Sequence, residues 1–120
     1  MNKKQEMKEL INHAVDCMGV AVTIIDPEGI LLYYNNHAAK FLDRKPEYLG
    51  SKVFNYHKKT NVNDKIKSMI HDFQNGRISP FKYEAKPYGK PVFVTVSPIL
   101  SDGKFIGCIQ SVIPNEDIEP

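Results

Sequence analysis

The sequence predicts an α+β fold: a five-stranded antiparallel sheet, a helical insertion between strands 2 and 3, and an N-terminal flanking helix. Five short apolar or alternating segments have the pattern of strands, and the hairpin turns between them favour antiparallel pairing. Two other stretches carry apolar residues at the helical spacing of 3.6 residues. A chain of 120 residues with 42% hydrophobic residues suits one domain with its own core.

The first segment has the pattern of an amphipathic helix that ends at Gly19. Its apolar stripe consists of Met7, Leu10, Ile11, Ala14, Val15 and Met18. A helix of this length is unstable alone in water and must dock its stripe on another surface. Because the stripe is wide, we expect it to form the interface of a homodimer. The alternative is a helix that folds back fully on its own sheet and leaves a monomer.

A hairpin and the helical insertion follow. Residues 20–25 are apolar and β-branched, residues 26–29 have the tight-turn sequence Asp-Pro-Glu-Gly, and residues 30–34 return as the second strand. Either Asn35 or Asn36 caps a short helix that extends to residue 42, and another short helix begins at residue 46. Helical spacing returns over residues 62–73.

The last third is rich in strands, at residues 81–86, 91–100 and 105–113. Two of the five strands are apolar on both sides, so we expect the insertion to cover one face of the sheet and the N-terminal helix the other. A small cavity between the insertion and the sheet is where this architecture would hold a ligand. We divide the chain into the helix (1–18), the domain (19–114) and an acidic tail (115–120).

Composition excludes several classes of protein. A net charge of +2 is too small to indicate nucleic-acid binding. No apolar run reaches the roughly 20 residues of a membrane span, and the N-terminus has no secretory pattern. Cys17 and Cys108 lie far apart, which is typical of reduced cysteines in a cytoplasmic protein.

Six short motifs, in order, resemble a PAS domain over about residues 13–113. They are the strand and turn of residues 22–30 with Asp26 and Gly29, then Tyr34-Asn35, Ala38-Ala39, Phe41-Leu42, Leu49-Gly50, and the closing hairpin of residues 102–107. The resemblance implies a sensor or interaction module and not an enzyme. At the family position Asn35, the expected physical role is to cap the following helix, which contributes about 1 kcal/mol.

Residues 49–57 and 70–76 resemble the PAS subgroup that is often appended to hemerythrin-like domains. That subgroup has Cys-His-Pro-Pro where this chain has Tyr56-His57-Lys58-Lys59. The histidine is kept, but the cysteine and both prolines are absent. A role that depends on the thiol or on a rigid Pro-Pro turn therefore does not transfer.

Known PAS cofactors are poorly matched. Haem is disfavoured, because the helix position that carries the haem histidine in some PAS domains corresponds here to Lys65-Ile66-Lys67. Binding through His57 would need a different ligation mode. Flavin photochemistry is excluded, since no cysteine occurs between Cys17 and Cys108. No metal motif, phosphate loop or pair of nucleophile and base is present, so we expect no catalytic activity.

The candidate ligand-binding residues are those expected to line the cavity: Tyr33, Tyr56, His57, Met69, Phe73 and Thr95. For each, plain core packing is the competing explanation. Two functions compete for the whole chain. The first is a sensor that binds a small ligand and passes a signal to a partner protein through the N-terminal helix. The second is a ligand-free dimerisation or docking module.

Overall fold

A computed structural model describes residues 2–42, 44–53, 60–86 and 89–114 of the chain. The elements are α1 (Lys3–Asp16), β1 (Ala21–Ile25), β2 (Leu31–Tyr34), α2 (Asn36–Phe41), a 3₁₀ helix (Pro46–Tyr48), α3 (Thr60–Gln74), β3 (Phe81–Ala85), β4 (Val92–Ser101) and β5 (Lys104–Pro114). All strand pairs are antiparallel, in the spatial order β2-β1-β5-β4-β3. The predicted fold class is confirmed. The acidic tail at 115–120 lies outside the described residues.

One face of the sheet, called the inner face below, carries the hydrophobic core. Val94 of β4 and Val112 of β5 are paired there and buried. The helix α3 covers them with Met69, Ile70 and Phe73. The Phe73 ring meets Phe81 edge-on at 5.3 Å and stacks on Phe105 at 5.7 Å between ring centroids. The apolar spacing of α3 thus explains how this helix is placed against the sheet.

The turn between β1 and β2 is held by Asp26. One carboxylate oxygen of Asp26 accepts hydrogen bonds from the backbone N–H of Glu28 at 2.8 Å and of Ile30 at 2.9 Å. Gly29 adopts a φ of 84°, which glycine reaches without steric cost. The turn that the sequence predicts at residues 26–29 is confirmed, and it sets the register in which β2 returns beside β1.

The helix α1 projects from the domain, and none of its residues is buried. Leu10 is 69% exposed and Ile11 59% exposed, so the apolar stripe faces solvent. Only at the last turn are side chains half-buried, at Val15 and Asp16. The prediction that α1 covers the second face of its own sheet is therefore wrong, because α1 is attached at one end and does not lie across that face.

The opposite, outer face of the sheet is therefore partly open, and part of it is apolar. Phe93 is 41% exposed, and its neighbour across the sheet is Ile113. Ile24 and Ile109 are paired nearby on the same face and are half-buried. The molecule therefore presents two apolar surfaces, the α1 stripe and the outer face.

Gly107 occupies a site where β5 passes close to the end of β1. A Cβ atom at this position would lie 2.6 Å from the backbone carbonyl oxygen of Ile25, inside contact distance. Since that oxygen belongs to the backbone of a strand, we expect Gly107→Ala to lower the free energy of unfolding by about 2–3 kcal/mol, in the upper part of the roughly 1–3 kcal/mol range of overpacked cores. Urea denaturation measures the change.

Gly19→Ala is the matched control, because a Cβ there meets nothing within 4 Å. Its free energy of unfolding should stay within about 0.5 kcal/mol of the parent protein. Equal stability of the two alanine variants would contradict the tight approach of β5 to β1.

Candidate functional site

A row of polar side chains crosses the inner face of the sheet. Thr23 of β1 pairs with Tyr34 of β2 on one side and with Gln110 of β5 on the other, so the three side chains project from the same face. Thr23 is 4% exposed, and no described residue offers its hydroxyl a hydrogen bond. A buried polar group without a partner costs about 1–3 kcal/mol. A ligand that forms a hydrogen bond with the Thr23 hydroxyl would remove this cost, so this row is a candidate binding site within the described core.

The predicted cavity residues fall into three groups. Met69 and Phe73 are buried in the core over the inner face, and their role in ligand binding stays a prediction. Thr95 alternates with Val94 and Val96, both buried on the inner face, so its side chain lies on the outer face. Its placement in the cavity wall is therefore corrected. Tyr56 and His57 lie outside the described residues.

Tyr33 is also placed on the outer face, where it holds the end of α1. Its hydroxyl donates a hydrogen bond to one carboxylate oxygen of Asp16 at 3.3 Å, and the Asn36 amide donates to the other at 3.3 Å. Partial burial, together with the neighbouring Asp16 carboxylate, raises the pKa of Tyr33, so the phenol keeps its proton. Tyr33 thus contacts α1 and not the cavity.

Asn35 joins three elements through its side chain. Its oxygen accepts hydrogen bonds from the backbone N–H of Ala38 at 3.0 Å and of Val22 at 2.9 Å. Its amide nitrogen donates to the carbonyl oxygens of Val15 at 3.1 Å and of Val20 at 2.8 Å. The predicted cap of α2 is confirmed, but the same side chain also binds the end of α1 and the start of β1.

Sequence reasoning missed Thr23 and Gln110. Thr23 lies in a strand whose other residues are apolar on both faces, so strict alternation did not mark it. The alternation of side chains along a strand could have indicated its position. Thr23 is two residues from Ala21 and from Ile25, so all three lie on the same face. Gln110 becomes its neighbour only when β5 pairs with β1.

A surface depression of about 420 Å³ opens beyond the C-terminal end of α3. Phe73 and Phe105 contribute to its walls, and Arg77 lies at its edge. The Arg77 guanidinium, however, donates to the backbone oxygens of Ser79 and Pro80 at 3.0 and 3.2 Å and lies over the Phe81 ring. Arg77 therefore stabilises the chain after α3. Among the predicted cavity residues that the structure describes, Phe73 is the one that lines this depression.

Other reactive groups are sparse in the part of the chain that the structure describes. Both cysteines are free, and burial raises the pKa of the Cys108 thiol to about 11, so this thiol stays protonated at neutral pH. Within the described ranges, no three His, Cys, Asp or Glu residues come together as a metal site would require. No described helix has the length and apolarity needed to cross a bilayer.

The sequence matches the model of a known family over most of its length. Residues 11–113 match the family model described as a PAS domain. This chain belongs to the PAS domain family. The model's description names no subgroup, so the resemblance to the subgroup associated with hemerythrin-like domains stays a prediction. No curated protein matches the chain significantly by sequence.

Solved structures share the fold of this PAS domain. A C-terminal domain from Streptococcus mutans aligns with a TM-score of 0.71 at 26% identity, covering 89% of this chain and 84% of that one. The PAS domain of BvgS from Bordetella pertussis aligns with a TM-score of 0.72 at 15% identity, covering 96% and 88%. A sensory box sensor histidine kinase from Vibrio cholerae gives 0.63 at 17% identity, with 92% of each chain covered.

We expect Asn35→Ala to lower the free energy of unfolding by about 3 kcal/mol, well above the effect of a lost helix cap. The reason is that the substitution leaves the buried backbone N–H of Val22 without its partner, in addition to uncapping α2. Chemical denaturation followed by circular dichroism measures the change.

Asn2→Ala is the matched control, since Asn2 caps α1 with one hydrogen bond to the backbone N–H of Gln5, at an exposed position. Asn2→Ala should lower the free energy of unfolding by less than about 1 kcal/mol. If the two alanine variants lose equal stability, Asn35 acts as a cap and nothing more.

Proposed function

We propose that this PAS domain is a signal-sensing module. A small ligand binds at the inner face of the sheet, and its binding changes how the end of α1 is held. The helix then passes the change to a partner. The single observation that carries this proposal is the position of β2, whose last residues touch both the polar row and α1.

Three consecutive residues provide the link. Tyr34 lies beside Thr23 on the inner face, whereas Tyr33 faces the other way and binds Asp16 of α1. Asn35 follows at once and binds the backbone of Val15. A ligand that shifts Tyr34 would therefore also shift the two side chains that anchor α1. Linkage requires that the ligand bind the two arrangements of α1 with unequal affinity.

The first partner in this proposal is a second copy of the chain. The α1 stripe is exposed at Met7, Leu10 and Ile11, by 59–69%. An apolar stripe of this kind marks an interface. Around a two-fold axis, the stripe of one copy would bury that of the other or would cover the outer face of the partner's sheet, where Phe93 is exposed.

The structural relatives support a role in signalling. The aligned Vibrio cholerae protein is a sensory box sensor histidine kinase. PAS domains act as sensory and interaction modules, so we propose no catalytic activity for this chain. Free cysteines agree with a reducing compartment, and we propose a cytoplasmic location.

The alternative function is a ligand-free module for dimerisation or protein docking. One observation favours it: the described core over the inner face is packed, with Phe73 between two other aromatic rings. In this case α1 and the outer face would carry the whole function. The Thr23 hydroxyl, which has no partner among the described residues, would then have no role.

Native mass spectrometry of the freshly purified protein tests the ligand. For the sensor, we expect an added small-molecule mass that is released on denaturation. A visible absorption spectrum of the same sample is expected to show no Soret band, since haem is disfavoured. A protein that carries no added mass supports the ligand-free module instead.

Sedimentation equilibrium tests the dimer. We expect the intact chain to self-associate at about 1 μM, a typical dissociation constant for a specific interface, and the double variant Leu10→Asp, Ile11→Asp to stay monomeric. The reason is that two carboxylates would have to be buried in the apolar stripe.

The matched control, Gln5→Asp with Asn12→Asp, adds the same two charges to the opposite side of α1. It should dimerise like the parent chain. The interface is refuted if the parent chain is monomeric at about 100 μM, far above that dissociation constant.

A further inference from the structure

We propose that Thr23, flanked by Tyr34 and Gln110, selects an uncharged ligand by a hydrogen bond at the inner face of the sheet. This inference rests on the proposed sensing function and adds the chemical class of the ligand. The ligand is a small, mainly apolar or aromatic molecule that carries one neutral hydrogen-bonding group, such as a hydroxyl, a carbonyl or an amide.

The proposed hydrogen bond between the ligand and Thr23 is inferred from the burial of the Thr23 hydroxyl. This hydroxyl is buried, at 4% exposure of the residue, and has no partner among the described residues. A hydroxyl both donates and accepts, and the neighbouring Gln110 amide does the same with separate atoms. Across a strand pair, such side chains have Cβ atoms about 5 Å apart, close enough for one small polar group to reach both.

The helix α2 packs on β1, and its buried Ala38 belongs to the same core cluster as Ala21 of β1, which lies two residues from Thr23 on the inner face. An alanine carries no polar atom beyond its backbone, so it cannot satisfy the Thr23 hydroxyl. The polar row is thus complete on the sheet side and lacks a hydrogen-bonding group from the helices that the structure describes.

The described core around this row favours a neutral ligand over a charged one. Among the described residues, the buried polar side chains are those of Thr23 and Asn35, and neither carries a charge. Lys65 is exposed, and its ammonium lies 3.3 Å from the centroid of the Tyr83 ring. Burying an unpaired charge costs far more than burying a neutral polar group. The described apolar walls, which include Met69, therefore favour a neutral molecule with an apolar body.

The test uses three probes of one shape and the ¹⁵N-labelled full chain at pH 7. Phenol is neutral with a hydroxyl, toluene has no hydrogen-bonding group, and benzoate is charged. In amide chemical-shift titrations, we expect phenol to give saturable shifts that are largest around Thr23, Tyr34 and Gln110. Benzoate should bind at least about tenfold more weakly than phenol.

Thr23→Val removes the hydroxyl and keeps the shape. This substitution should lower the affinity for phenol about fivefold, which corresponds to the loss of one hydrogen bond. The affinity for toluene should stay unchanged. Thr23→Ser keeps the hydroxyl and should retain phenol binding. Thr95→Val removes a hydroxyl from the outer face and should leave the affinity for each probe unchanged. Without probe, Thr23→Val should melt about 2–4 °C higher than the parent chain, because it removes a buried hydroxyl that no described residue hydrogen-bonds.

Each remaining outcome is decisive. If phenol and toluene both bind the inner face and Thr23→Val weakens neither, the selection by Thr23 is wrong and ligand binding stands. If benzoate binds as well as phenol, the selection against charge is wrong. If no probe gives saturable shifts at the inner face, this inference and the sensing function both fail, and the docking module is favoured.

Discussion

The buried amide of Asn35 holds together the three chain segments on which the rest of the structure depends. At 1% exposure, it binds backbone groups of α1, β1 and α2 at once. Backbone groups at the start of a strand and of a helix have no partners of their own, and leaving them buried and unpaired is costly. The Asn35 side chain has two donor hydrogens and an acceptor oxygen, so it can bind the backbone groups at the start of β1 and of α2 and also attach α1.

The two faces of the sheet follow from the same strands and serve different purposes. On the inner face, buried residues such as Val94 and Val96 pack against α3. On the outer face, Phe93 and Thr95 alternate with them and lie away from that core. Because a strand sends successive side chains to opposite faces, the neighbours Tyr33 and Tyr34 lie on different faces of the sheet. The pair Tyr33 and Tyr34 uses this geometry to connect the polar row to α1.

The placement of α1 sets what the outer face can do. A helix that is anchored by Asp16 and Val15 at one end leaves its stripe free and the outer face open. Two exposed apolar surfaces on one small domain are costly in water. A second copy that covers them would relieve this cost, and the hydrogen bonds at the end of α1 would then set the angle at which the two copies meet.

The sequence by itself determined the order of the elements, the turn at Asp26 and the cap at Asn35, because helical spacing, turn residues and caps are local properties of the chain. It also determined that Met69 and Phe73 belong to the core. Only the tertiary structure decided that Thr23 lies between Tyr34 and Gln110, since this depends on β1 pairing with both β2 and β5. In the same way, the further hydrogen bonds of Asn35 and the projection of α1 arise from contacts between segments that are distant in sequence, which no local pattern records.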